Sequence, residues 1–477
     1  MIDPRHRPRR FSRRAFLAGG TGLLGLALFP SLTRARVNPN DPRVTLRASP
    51  TALSMSPDGQ AVRGAWGYNG RVPGPVLRYR QGERLRILLR NELPQATTIH
   101  WHGIRLPNAM DGVPHVTQPP VEPGEAFEYD FELPDAGTYW YHSHLNGPEQ
   151  VARGLSGALI VEEPEPYPVD RELLWVLDDW RVTGEGAIRE DFVSFHDVSH
   201  AGRIGNTVTI NGRLPYAESV RPGERVRLRV INAANARVFS LSFGDLPAYV
   251  IALDGQPLPP HEPQGGRVVI GPGMRADVVL DCVGEAGRMV DVRDDFYAGL
   301  DFTLMRLGLR GEAVRDMPPS TPPALPGNPV PEPVPEGAVI HEIDFGGGMM
   351  GRTGMGQMMR MMRDGMAWTV NGATMRATHG HAHPSLFTLR RGQNCRIVFR
   401  NDTAWHHPIH MHGHHFRVLT RNGKAEPHRP FHDTVFMYPG DTVETAFVAD
   451  NPGDWMFHCH IQEHQAGGMM GLFRVLA

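Results

Sequence analysis

The sequence predicts an all-β protein made of three related β-sandwich domains. Three observations carry that expectation. The 477 residues suit about three domains at roughly 100–200 residues each. Gly 53 and Pro 43 make about a fifth of the chain turn-forming, high for a helical bundle and ordinary for a turn-rich β protein. A turn followed by an alternating apolar and polar run also recurs three times. It reads Arg80-Gln81-Gly82-Glu83-Arg84-Leu85-Arg86, then Arg221-Pro222-Gly223-Glu224-Arg225-Val226-Arg227, then Arg391-Gly392-Gln393-Asn394-Cys395-Arg396. Such alternation is the mark of a strand with one buried face. With 40% hydrophobic and 21% charged residues, the chain can bury a core, and disorder throughout is excluded.

Residues 1–36 read as an export signal. Arg5, Arg7, Arg9, Arg10, Arg13 and Arg14 precede an apolar, glycine-rich stretch from Ala15 to Phe29. That stretch is too short to span a bilayer and suits a signal-peptide core. Ser12-Arg13-Arg14-Ala15-Phe16-Leu17 resembles the twin-arginine export motif, which implies export of a folded protein to the periplasm by that machinery. Thr33-Arg34-Ala35 would precede the cleavage point. No other segment reaches about 18 unbroken apolar residues, so the mature form is expected not to span a membrane. The 49 Lys+Arg against 51 Asp+Glu give −2, and cutting after Ala35 removes seven Arg and one Asp, leaving −8. An acidic mature chain is not expected to bind nucleic acid.

The first repeat is assigned to 37–165, the second to 166–315 and the third to 338–477. A proline-rich connector at 316–337 should be extended and semi-rigid; it includes Pro318-Pro319 and Pro322-Pro323. The first glycines, Gly82, Gly223 and Gly392, lie 141 and 169 residues apart, too far for a solenoid repeat. Each alternating run ends in an asparagine, Asn91, Asn232 or Asn401, and a second turn recurs at Pro123-Gly124, Pro272-Gly273 and Pro439-Gly440.

The repeat also places the histidines, which number 24. Eighteen residues after Gly82 and Gly392 stand His100-Trp101-His102 and His410-Met411-His412. Eighteen after Gly124 and Gly440 stand His142-Ser143-His144 and His458-Cys459-His460. The middle repeat has Leu241 and Phe243, then Asp291 and Arg293, at those positions. Residues two apart on a strand share a face, so eight imidazoles from the outer repeats should converge.

Cys459 faces the other way from His458 and His460, so one strand can serve two metal sites. His464 follows it by five and Met469 by ten, and His407 lies three before His410. A thiolate, two imidazoles and a weak thioether are the donors of a blue-copper electron-transfer site. His407-Pro408-Ile409-His410-Met411-His412-Gly413 and His458-Cys459-His460-Ile461-Gln462-Glu463-His464, ending in Met469, resemble the multicopper oxidase signatures. His100-Trp101-His102-Gly103 and His142-Ser143-His144 are similar to that family's two N-terminal ones. The resemblance spans the mature chain. It implies three cupredoxin-like Greek-key sandwiches, a middle one without copper ligands, and four copper ions. His407, Cys459, His464 and Met469 would hold type 1 copper, and His100 and His410 type 2. His102, His142 and His460 would hold one type 3 copper, and His144, His412 and His458 the other. Electrons would pass through Cys459 to a cluster that reduces O2 to water. Asp111, nine after His102, stands where the family has an acid and is the expected proton donor. Several relatives carry an acid where this chain has Gln465, so Glu463 or an ordered water would complete the proton path.

The electron donor is read from residues 346–366. Eight of the 21 methionines lie there, and Met355, Met358, Met359, Met362 and Met366 follow helical spacing on one face. Thioethers bind Cu(I), and a similar insert lies near type 1 copper in bacterial cuprous oxidases. The resemblance therefore implies Cu(I) as substrate, in copper detoxification. Two alternatives are a laccase-like oxidase of phenols, with the insert as a lid, and a non-catalytic copper-sequestering or cell-envelope protein. His379, His381 and His383 form a further cluster, read as an exposed loop. Three cysteines exclude a disulfide framework; Cys282 and Cys395 are expected as buried free thiols, and the chain as a monomer.

Overall fold

The computed structural model describes residues 43–477 except 57–58, 60, 317–319, 352–358, 360–362 and 376–383. The export signal, Pro318, Pro319, Met355, Met358, Met362 and the His379, His381 and His383 cluster lie outside the described residues. The described residues form six sheets that pair into three sandwiches.

The repeat seen in sequence is a repeat in topology. The strands Arg84–Asn91, Glu224–Asn232 and Gln393–Asn401 take the same place in their sheets. Each has a parallel neighbour on one side, Val44–Leu53, Arg171–Trp180 or Val339–Gly347. Each has an antiparallel neighbour on the other, Ala126–Glu132, Arg275–Cys282 or Thr442–Ala449. The second sheets share an order too. Gly137–His142, Met289–Asp294 and Gly453–Cys459 each pair antiparallel with two strands, one of them His100–His102, Phe239–Ser242 or His407–Met411.

Alternation along these strands builds the cores. In Glu224–Asn232, Val226, Leu228 and Val230 point into the core of the middle sandwich, because successive side chains face opposite ways. Arg225, Arg227 and Arg229 point out, yet they too are buried, since that face meets other parts of the chain. Arg227 is paired with Asp277 and Glu163 at 2.7 and 2.6 Å. Arg229 reaches Asp277, Glu172 and the Thr138 hydroxyl of the first repeat. The first and third sandwiches share one contiguous apolar cluster.

One sequence expectation needs correction. Counting eighteen from Gly273 makes Asp291 the middle-repeat counterpart of His142 and His458. His100 stands opposite His142, and His410 opposite His458, but Leu241 stands opposite Asp294. The strand Arg275–Cys282 is one residue longer than Ala126–Glu132, and the loop after it is two residues longer, which displaces the count by three. The methionine-rich stretch begins on a strand. Gly346 and Gly347 still belong to a strand and pair with Thr369 and Trp368. The described helical residues are Met359, Arg363 and Asp364, and Met366 lies past them. The stretch thus leaves and rejoins its sheet at adjacent points. Among the described residues, three other short α-helices are Gly147–Gln150, Phe195–Ser199 and Gln462–Ala466. No helix among the described residues is long and apolar enough to cross a membrane.

Candidate metal centre

Two sets of donors meet on opposite faces of the strand Gly453–Cys459. On one face Cys459 Sγ lies 3.5 Å from His407 Nδ1 and 3.6 Å from His464 Nδ1, and the two nitrogens are 3.1 Å apart. A point equidistant from these three atoms is about 2 Å from each, close to ordinary metal–imidazole and metal–thiolate lengths. The outer nitrogens are occupied. His407 Nε2 is 2.7 Å from Thr403 Oγ1, a hydroxyl that Asn401 and the Trp405 carbonyl also hold. His464 Nε2 donates to the His200 carbonyl at 2.6 Å. Each bond fixes a tautomer whose Nδ1 lone pair points at the sulfur. Met469 is fully buried, and its carbonyl accepts the Cys459 amide at 3.0 Å. Trp368 packs over His464 and edge-on to His407. Burial pushes the Cys459 thiol up, and a bound cation is what makes such a sulfur a thiolate.

On the other face the histidine pairs converge. His100 Nδ1 donates to the Asp111 carbonyl at 2.8 Å and His410 Nδ1 to the Asp433 carbonyl at 2.9 Å. Their Nε2 lone pairs then confront each other at 3.3 Å. His412 Nδ1 donates to Asp111 Oδ2 and His458 Nδ1 to the Cys459 carbonyl, both at 2.9 Å. Their Nε2 lone pairs face each other at 3.1 Å, with His144 Nε2 3.3 Å from His458 Nε2. Acceptor against acceptor at this range is repulsive unless a cation sits between them. The third group is three orphans. His102 Nδ1, His142 Nε2 and His460 Nε2 are buried without a hydrogen-bond partner, and the three histidines offer donor atoms within 4.8 Å of one another. A buried polar atom left unpaired is costly, and metal coordination satisfies all three. Burial, reinforced by neighbouring imidazoles, drives His102, His142, His144, His412 and His460 well below the ordinary histidine value. It brings His458 down to about 3. These are neutral rings, the form a metal takes.

The structure brings donor atoms within 4.8 Å of one another in His100, His102 and His410, in His102, His142 and His460, in His144, His412 and His458, and in His407, Cys459 and His464. Four further participants were not expected at the site from sequence. Asp433 is 3.0 Å from His102 Nε2 and mirrors Asp111 across the pseudo-twofold: each gives a carbonyl to one histidine and a carboxylate to another. Burial opposes its ionisation, but Arg275 and His102 outweigh that and hold the carboxyl well below the usual range. Arg275, from the middle repeat, grips Asp433 at 2.6 and 2.8 Å. Gly273, at φ +84°, lies where a Cβ would come within 2.7 Å of the His460 ring and 3.1 Å of His102. Thr403 is the fourth. The middle repeat, without ligands, thus lines the cluster.

The remaining expected residues divide. Glu463 is fully buried, and its carboxylate accepts the Arg203 amide at 3.0 Å and the Asn235 side chain at 2.9 Å. Those partners belong to the middle repeat. Burial raises it to about 7, opposed by the same two hydrogen bonds. Gln465 contacts Met456 Sδ at 3.8 Å. Met366 is buried, its methyl 2.8 Å from the position a Cβ would take on Gly468, next to Met469. Met359 is 65% exposed. The near end of the insert is also rooted at the thiolate site, for Trp405 Nε1 donates to the Met349 carbonyl at 2.8 Å. Cys282 and Cys395 are buried and unpaired.

Comparison with known proteins agrees with this chemistry. Profiles described as multicopper oxidase match residues 51–166, 171–288 and 354–477. The crystal structure of a multicopper oxidase from Pseudomonas thermotolerans is 36% identical, with a TM-score of 0.81, over 91% of this chain and 99% of that one. Copper resistance protein A of Pseudomonas syringae pv. tomato is 28% identical over 98% of this chain and 99% of its own length. A laccase-like multicopper oxidase from Ochrobactrum sp., with oxidase activity towards lignin model compounds, is 28% identical with a TM-score of 0.78. It aligns over 93% of this chain and 98% of its own. The donor sets, the repeated sandwiches and these matches agree: the chain belongs to the multicopper oxidase family and is a copper-dependent oxidase that uses O2 and a reducing substrate.

Proposed function

We propose that the reducing substrate is Cu(I), oxidised to Cu(II) in copper detoxification, and that the protein works in the periplasm after twin-arginine export. The observation that carries this reading is that the methionine-rich stretch is rooted at the thiolate site through Met349 and Met366, with soft donors suited to Cu(I). The resemblance to copper resistance protein A points the same way.

Four copper ions fit the donors. His407, Cys459, His464 and Met469 would hold one, His100 and His410 a second, His102, His142 and His460 a third, and His144, His412 and His458 a fourth. Bound there, copper supplies one-electron acceptance at the thiolate and four-electron reduction of O2 to two waters at the cluster. The chain does the rest. Thr403 and the His200 carbonyl hold His407 and His464 with Nδ1 toward Cys459. Cys459, flanked by His458 and His460, gives the shortest covalent link between the two sites. Asp111, touching His100 and His412, is the group that moves protons at the cluster. Glu463 secures the helix carrying His464 to the middle repeat through Asn235 and Arg203. Sandwich boundaries at 37–165, 166–315 and 338–477 fit these roles.

The likeness to the Ochrobactrum enzyme favours phenols as the second reading. Oxygen uptake with Cu(I) and with a phenol separates the two, before and after replacing residues 351–365 by a short Gly-Ser linker. Loss of Cu(I) oxidation with gain of phenol turnover is expected. Unchanged Cu(I) oxidation without improved phenol turnover would contradict the copper-handling role.

A further inference from the structure

The helix Phe195–Ser199 of the middle repeat ends against the thiolate site. It is capped by Ser194, whose hydroxyl accepts the Asp197 amide. His196 and His200 lie four apart and so share a face. Their rings stack at 4.3 Å between centroids and 10° between planes. The His196 side chain is 78% exposed. His200 Nδ1 is 3.0 Å from the His196 carbonyl. Donation there leaves His200 Nε2 as a lone-pair donor. Among the described residues no hydrogen bond to another side chain holds His196, and Asp197 is 3.7 Å from its Nδ1.

Soft donors border this pair. The Met349 amide donates to the Ser199 carbonyl at 2.8 Å, which pins the start of the methionine-rich stretch to the helix. Met350 follows, 81% exposed. Trp405, bonded to the Met349 carbonyl, lies edge-on to His200 at 5.4 Å between ring centroids. The backbone carbonyl of His200 is the acceptor for His464 Nε2. One residue therefore presents an imidazole outward and a carbonyl to a donor of the thiolate site.

We infer that His196 and His200 form a docking site for substrate Cu(I), with Met349 and Met350 beside it, and that His200 is the port through which its electron reaches His464. The site rests on the Cu(I) reading above and assigns it a place. Two imidazoles four apart on a helix chelate a small cation, and neighbouring thioethers bias the choice to the cuprous state. Each Cu(I) gives up one electron and leaves as Cu(II). The electron crosses the bonds of His200 and a single hydrogen bond to His464. Four such electrons, with four protons, convert one O2 into two waters at the cluster.

The test is binding and turnover on copper-loaded enzyme. Ag(I), a closed-shell cation that the enzyme does not oxidise, is titrated by equilibrium dialysis with metal analysis. Wild type, His196→Ala and His200→Gln are compared. The variants are expected to bind one Ag(I) fewer, with the visible absorption unchanged. Their KM for Cu(I) should rise about tenfold or more, the order of loss when a metal site is impaired. If His200→Gln disturbs its own carbonyl and alters the absorption, His196→Ala, at an exposed position, reads the site alone. Equal Ag(I) binding and equal Cu(I) KM in His196→Ala and wild type would overturn the inference. A wild type that binds Ag(I) but never oxidises Cu(I) would instead overturn the substrate reading on which it rests.

Discussion

At the scale of single residues, the centre is built from tautomers. Nearly every histidine in it donates one ring N–H to a fixed acceptor, so that the other nitrogen faces inward. The donors were legible in sequence because His-x-His on a strand is a spacing rule, and four such pairs in register carry their own geometry. Asp433, Arg275 and Gly273 were not, because each reaches its histidine from a distant part of the chain; Thr403 is local to His407, but a threonine four residues before a histidine carries no spacing rule of its own. Arg275→Met should leave Asp433 as an uncompensated buried charge, a loss of about 3–5 kcal/mol. His102 should then lose its fixed orientation: the electron paramagnetic signature of the cluster should change while the Cys459 absorption stays, and Arg275→Lys should recover part of both. Gly273→Ala should be worse for the cluster than for the fold. Its methyl would strike His460 and His102, so copper loading at the cluster is expected to fall with little change at the thiolate site, as metal analysis and visible spectra would report.

At the scale of elements, the turn-and-strand repeat predicted three sandwiches because alternation and turn chemistry are local. What alternation cannot give is the identity of the surface a strand's outer face meets. Arg225, Arg227 and Arg229 alternate with the core residues of their strand, and they are buried against acids of the middle repeat and its neighbours. Arg227→Met should therefore destabilise, by less than the about 3–5 kcal/mol of a fully stranded buried charge, since Asp277 and Glu163 keep only Arg229 as a cationic partner; denaturant unfolding followed by fluorescence measures it. The register of the middle repeat slipped by three for a similar reason: length changes in a strand and its loop leave no mark when no histidine anchors the count. Of the methionines expected on one helical face, Met359 lies in a helix, and Met366 lies past it, packed beside Gly468.

At the scale of the whole molecule, the outer sandwiches supply all the donors and the middle one braces them. The confronting lone pairs and the three orphan nitrogens are a cost that the metal-free fold carries. Removing copper with a chelator should therefore lower the melting temperature, and free copper at 100 times its Kd should restore about 2.7 kcal/mol per site, as calorimetry would show. The central claim is that Cys459 joins a one-electron site for Cu(I) to a cluster that reduces O2 to water. Its most direct test is the stoichiometry of Cu(I) oxidised per O2 consumed, with peroxide assayed, in wild type and in Cys459→Ser. Four Cu(I) per O2 without peroxide in wild type, and neither turnover nor visible absorption in folded Cys459→Ser, is the predicted result. Peroxide as the product, or oxidase activity persisting in Cys459→Ser above the rate of free copper, would contradict it.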